Sequence, residues 1–211
     1  MPDERIINFI RDNKDFYHEY LFNNRLSKCY FGYTCDIDQI YCYFNLVDIK
    51  KTIYYKFYNI VSKNFKVNKL HLLEIACGYI PILSSIYKER GIDIDAVNNK
   101  ILINNYKGVN TIEYDLNNDF DLSKYDLIVG IRPCYVTENI IDNCYKNKKD
   151  FILYLCPCIH NSKSKMKFDG YDDWINYLKL KTSHFKNYNV DFIILDDFPD
   201  KCPIIIGRYI K

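Results

Sequence analysis

The sequence predicts an α/β fold: a mostly parallel sheet of seven strands that ends in an antiparallel hairpin, preceded by a small N-terminal helical region. Three observations predict it. From about residue 68 short apolar runs alternate with helical stretches, the pattern of strand–helix–strand units with right-handed crossovers. The last two runs break that alternation. Only Phe198-Pro199-Asp200-Lys201-Cys202-Pro203 separates them, so they pair as a hairpin. Before residue 67 apolar residues recur at three, four or seven positions, as one helix face requires.

The chain accordingly divides into residues 1–66 and 67–211. In the first part, Ile6, Ile10, Tyr17 and Leu21 mark one helix. Ile49, Ile53, Phe57, Ile60 and Phe65 mark a second. Between them, residues 29–44 are rich in Tyr and Cys, with Gly32 as a turn. In the second part the predicted strands are 70–76, 92–97, 111–114, 125–131, 151–156, 190–195 and 204–209. Helices are predicted at 81–90, 100–106, 136–146 and 172–186.

Composition excludes several classes. With 211 residues, 48% hydrophobic and 27% charged, the chain buries a core without disulfide staples. Collagen-like, coiled-coil and disordered readings fail on the same numbers. No run of about 18 apolar residues suggests a membrane span. The start, Met1-Pro2-Asp3-Glu4-Arg5, does not read as a signal peptide. A net charge of +2 does not by itself argue for nucleic acid. Nine cysteines, an odd number without regular spacing, read as reduced thiols in a cytoplasmic protein. Cys156, Cys158 and His160, with Cys134 on the neighbouring strand end, raise the question of zinc. The paired Cys-x-x-Cys spacing is absent, and Cys29, Cys35 and Cys42 are too widely spaced, so no metal is expected.

The first strand carries the main chemical signal: His71-Leu72-Leu73-Glu74-Ile75-Ala76-Cys77-Gly78-Tyr79-Ile80-Pro81. A tight turn at the C-terminal edge of a strand needs small residues where a ligand approaches the backbone, here Ala76 and Gly78. Pro81 suits the first turn of a helix. Glu74 inside an apolar strand is costly unless it is partnered.

This segment resembles motif I of the class I S-adenosylmethionine (SAM) dependent methyltransferases, whose Rossmann-like seven-stranded sheet has the predicted order of elements. The resemblance covers residues 68–211. It implies SAM as cofactor, lying over Glu74, Ala76, Cys77 and Gly78. Glu74 is then expected to reach the methionine amino end, directly or through water. The resemblance also implies an acidic residue for the ribose at the end of the second strand. Asn98 stands there instead; its amide oxygen accepts one bond, and Asn98→Asp is expected to tighten cofactor binding. Asp115, in Glu113-Tyr114-Asp115-Leu116, is implied as the adenine contact, or else it caps a turn. Ile131, ending the fourth strand, is likewise implied as a cofactor contact. The sequence departs from the family at Ala76, Ile80 and Asn98.

After the fourth strand comes Arg132-Pro133-Cys134-Tyr135. Amine-methylating relatives place Asn or Asp, then Pro-Pro, then an aromatic residue there. Arg132 only donates hydrogen bonds, which suits an anionic group such as phosphate or carboxylate. The run ending in Cys156-Pro157-Cys158-Ile159-His160 is similar to methyltransferase-like families with a Pro-Cys motif after the fifth strand, some of which modify RNA. The resemblance thus implies Arg132, Tyr135 and His160 as catalytic residues, His160 as base where the nucleophile carries a proton. The expected partner is RNA or an anionic small molecule, and no membrane. The basic loop 161–167 either clamps substrate phosphates or is solvated. Tyr30, Phe31, Tyr33, Tyr41 and Tyr43 either stack on a planar substrate or belong to the core.

Three functions follow from these residues. The first is methyl transfer from SAM. The second is aminocarboxypropyl transfer, as in enzymes resembling nicotianamine synthase, which share an N-terminal helical part and a Gly-x-x-Pro turn like Gly78–Pro81. The third is a binding module on a catalytically decayed form of the same fold.

Overall fold

β1 (Leu72–Ile75) is buried on both faces. Such continuous apolar strands form where helices cover a sheet from both sides. β1 pairs in parallel with β2 (Ile94–Asn98) on one edge and β4 (Leu127–Ile131) on the other. β3 (Asn110–Glu113) extends the β2 side, and β5 (Asp150–Tyr154) the β4 side. β7 (Ile204–Tyr209) lies antiparallel between β5 and β6 (Tyr188–Ile193). The order is β3-β2-β1-β4-β5-β7-β6. The chain leaves β1 toward β2 and returns to set β4 on the opposite edge, so a crevice opens at the C-terminal ends of β1 and β4. The computed structural model describes residues 8, 33–45, 47–156, 168–196 and 202–210.

Alternation along the strands feeds two apolar layers. On one face Leu72, Ile94, Leu127, Ile152 and Ile206 pack with α1 (Tyr33–Tyr43), α2 (Ile53–Asn64) and α3 (Ile82–Lys88). α2 presents Ile53, Tyr54, Phe57 and Val61 to that layer. On the other face Leu73, Ile128, Phe151 and Ile205 pack with α4 (Thr137–Lys146) and α5 (Tyr171–Ser183) through Ile140, Ile141, Trp174 and Leu178. Lys181 of α5 ties these two helices. Its ammonium lies 2.8 Å from Glu138 and 2.8 Å from Asp142 of α4, while the Tyr177 hydroxyl also donates to Glu138.

All seven expected strands are present, with ends that move by up to two residues. Three expectations change. Residues 100–106 form no α-helix; a single 3-10 turn, Tyr106–Gly108, follows a loop. Asn105 and Lys107 adopt left-handed backbones (φ 56° and 50°), which an α-helix does not admit. The consecutive residues Ile101, Leu102 and Ile103 are all buried, so they fill a loop core and form no helical stripe. Part of the presumed 29–44 connection is helix α1. Finally, the buried stripe of α2 runs through Tyr54 and Val61, leaving Ile60 half-buried. The helix expected around Ile6 to Leu21 lies outside the described residues. Among those described, no helix is long and apolar enough to cross a membrane.

Candidate active site

The crevice is bordered by strained backbone. Beyond β1, Ala76 has φ 58° and Gly78 φ 75°; beyond β4, Arg132 has φ 50° and Cys134 φ 52°. A left-handed conformation in a residue other than glycine costs about 1–3 kcal/mol and gathers where a binding site over-determines the chain. Here three such residues follow two adjacent central strands.

The turn from Ala76 to Ile80 is held from several directions. Cys77 N–H donates to Val97 C=O at 3.1 Å, and Tyr79 C=O accepts from Leu102 N–H at 2.8 Å. Gly78 C=O accepts from Asn98 Nδ2 at 3.0 Å. Gln39 of α1 supplies two further bonds. Its Nε2 donates to Cys77 C=O at 2.7 Å, and its Oε1 accepts from Ile80 N–H at 3.1 Å. The Gly78 N–H is left without a hydrogen-bond partner among the described residues.

Glu74 lies beneath this turn, 1% exposed. Its Oε2 accepts from Ser84 N–H at 2.8 Å and from Ser84 Oγ at 2.6 Å. Burial pushes its carboxyl up to about 7, against the opposing Ser84 bonds. Burial, then the Glu74 charge, also holds the Cys77 thiol and the Tyr87 hydroxyl well above their ordinary values. The described contacts of Glu74 are thus with α3.

Asn98 caps β2. Its Nδ2 also donates to Lys100 C=O at 2.9 Å, so Oδ1 is the atom left to accept. Asn99 Nδ2 lies 3.2 Å from the Tyr135 hydroxyl and links the end of β2 to the segment after β4. Tyr135 is 49% exposed, and its hydroxyl is held above its ordinary value by burial and then by the charge of nearby Asp115. Asp115 accepts from Asn117 N–H at 3.1 Å and Asn117 Nδ2 at 2.8 Å, the turn cap among its two readings. Ile131 ends β4 opposite Tyr154. Arg132 is half-buried; its N–H donates to Tyr154 C=O at 2.7 Å and its guanidinium carbon stands 5.8 Å from the Tyr154 ring centre.

The structure therefore gathers Glu74, Ala76, Cys77, Gly78 and Asn98 around one turn. Asp115 and Tyr135 sit near each other at its flank, and Ile131 and Arg132 at the end of the neighbouring strand. His160, Cys158, the loop 161–167, Tyr30 and Phe31 lie outside the described residues, as does the side chain of Tyr33. Tyr41 and Tyr43 pack against the core, Tyr43 at 5.5 Å from Tyr106. Among the described residues Cys134 and Cys156 form no disulfide. Sequence reasoning missed Gln39 and Asn99. The one local signal for Gln39 is a carboxamide set between the apolar residues Ile37 and Ile40.

A Rossmann-like sheet in the order β3-β2-β1-β4-β5-β7-β6, with β7 alone antiparallel, is the class I methyltransferase fold. Magnesium protoporphyrin IX methyltransferase from Synechocystis PCC 6803, solved with bound SAM, matches at a TM-score of 0.53 and 11% identity, over 98% of this chain and 97% of that one. A structure of that enzyme with bound S-adenosylhomocysteine (SAH) matches at 0.51 and 10%, over 73% and 80%. A Plasmodium falciparum protein described as a ribosomal RNA methyltransferase matches at 0.50 and 14%, over 76% and 97%. No protein-family model and no curated protein matches the chain.

Proposed function

We propose that this chain is a SAM-dependent methyltransferase acting on an anionic substrate, either RNA or a small molecule. The observation that carries the reading is the turn Ala76–Ile80 at the point where the sheet order reverses, with left-handed residues after both bordering strands. The residues fit the cofactor. The Gly78 N–H, without a partner among the described residues, and the remaining acceptor Oδ1 of Asn98 suit its polar ends. The solved Synechocystis enzyme that shares the fold binds SAM.

SAM supplies an electrophilic methyl group on a sulfonium, so the protein's task is alignment of the acceptor. Ala76, Cys77 and Gly78, with Glu74 and Ile131, would hold the cofactor. Asn98 Oδ1 would accept from a ribose hydroxyl, and Asp115 would contact the adenine. Arg132 binds the anionic group of the substrate through a guanidinium that only donates. Tyr135, exposed beside it, stacks on a planar acceptor. His160 takes a proton where the acceptor atom carries one. The Plasmodium neighbour, described as acting on ribosomal RNA, accords with a phosphate-bearing substrate. On this reading residues 67–211 are the catalytic domain and residues 1–66 an addition to it.

Calorimetric titration with SAH tests the reading, and binding with a Kd in the micromolar range is the expected result. Absence of heat at millimolar ligand, confirmed by equilibrium dialysis, sinks it. Product analysis after incubation with SAM and RNA then identifies the transferred group. SAH marks methyl transfer, whereas methylthioadenosine marks aminocarboxypropyl transfer.

A further inference from the structure

We infer that Gln39 is the positioning residue of the cofactor turn: its carboxamide holds Cys77 C=O and Ile80 N–H, and so fixes the shape on which cofactor affinity depends. The inference rests on the proposed SAM site and deepens it. Gln39 reaches the turn from α1, 38 residues from Cys77 and 41 from Ile80. The residue is 4% exposed. Burying a carboxamide is unfavourable unless both its ends are bonded, and both are. Only one orientation of the amide satisfies a carbonyl and an N–H together, so the assignment of its nitrogen and oxygen is unambiguous.

The glycine is matched to this side chain. A Cβ on Gly78 would stand 2.3 Å from Gln39 Nε2 and 2.6 Å from Oε1. The absent side chain at Gly78 thus makes room for Gln39, and the φ of 75° suits glycine as well. Asn98 holds Gly78 C=O from β2. One carboxamide from α1 and another from β2 grip successive peptide units of the turn. Cys77 C=O and Gly78 C=O are both engaged, while the Gly78 N–H is not. A clamp of this kind reduces the ordering a ligand must impose on the loop when it binds.

The test compares wild type with Gln39→Glu and Gln39→Met, reading SAH affinity by calorimetry at pH 5 and pH 8 and melting temperature in parallel. In Gln39→Glu at pH 8 a carboxylate faces Cys77 C=O and cannot donate. Its Kd for SAH should exceed that of wild type by about tenfold. At pH 5 the protonated acid donates again, so the ratio of variant to wild-type Kd should return toward one. Gln39→Met keeps the side-chain length without either bond, and its ratio should stay near tenfold at both pH values. A bond that serves stability alone moves the melting temperature and leaves both ratios at one, which overturns the inference. Failure of wild type to bind SAH overturns the proposed function, and this inference with it. Wild-type binding with ratios of one overturns only the role of Gln39.

Discussion

At Asn98 the side-chain nitrogen reaches the carbonyls of both Gly78 and Lys100, so the residue acts first as a donor. This reverses the expected effect of Asn98→Asp. A carboxylate there would face two carbonyl oxygens and lose both bonds, leaving the Gly78 carbonyl without its partner from β2. The variant should lose about 1–3 kcal/mol of stability and bind SAH more weakly than wild type. Thermal melting and calorimetry measure the two effects. Tighter binding at an unchanged melting temperature would restore the ribose-acid role for that strand end. Ala76 is a related case. It departs from the glycine of the resembling motif, yet its φ of 58° shows that the backbone keeps the glycine-like conformation, at a cost of about 1–2 kcal/mol.

At the level of elements, α4 and α5 meet across a charged contact beside their apolar one. The Glu138 side chain is nearly fully buried, and Lys181 bridges it to Asp142. Lys181→Met should therefore cost about 3 kcal/mol, because it removes a cation bonded to a buried carboxylate. Adding Glu138→Gln should recover part of that loss. A chemical-denaturation midpoint that Lys181→Met leaves in place would show the pair to be dispensable. The elements also show where sequence pattern carries information. The strands β1, β4, β5 and β7 were legible because burial on both faces writes them as apolar runs between turn residues. α4 was legible through Ile140, Ile141 and Cys144 on one face. The run Ile101-Leu102-Ile103 misled because a buried loop and a buried helix share the same composition, and left-handed Asn105 and Lys107 decide between them. Among site residues, Gly78 and Asn98 were legible since strand ends announce them. Gln39 was not, since its partners lie 38 and 41 residues away and only the packing of α1 against the sheet brings them together.

For the whole molecule, folding shifts Glu74 and Asp95 in opposite directions, and both bear on how stability varies with pH. Asp95 is lowered from its ordinary 3.8: burial opposes this, but hydrogen bonds from Lys124, Asn110 and Tyr125 outweigh it. Its contribution is present above 3.8 and is lost as pH falls through the lowered folded value. Glu74 behaves the other way. Burial raises it from 4.5 to about 7 despite the Ser84 bonds, so across that window the folded state keeps a proton that the unfolded state has released. Stability therefore falls as pH rises from 4.5 to about 7, by about 3 kcal/mol in all, and stays lower beyond it. Cys42, pushed up to about 12 by burial and then by Asp38, adds a further loss only above its ordinary 9.0. The optimum consequently lies on the acid side of neutrality. Glu74→Gln keeps an oxygen for the Ser84 donors and cannot ionise. Wild-type melting temperature should drop by about 5–10 °C between pH 5 and pH 8. The variant should be flat over that range, no more stable than wild type at pH 5 and more stable at pH 8. Calorimetric scans at pH 5, 6.5 and 8 decide it. A wild-type profile without a slope, or a variant that keeps the wild-type slope, would mean that Glu74 is ionised within the fold and that its bonds to Ser84 outweigh its burial.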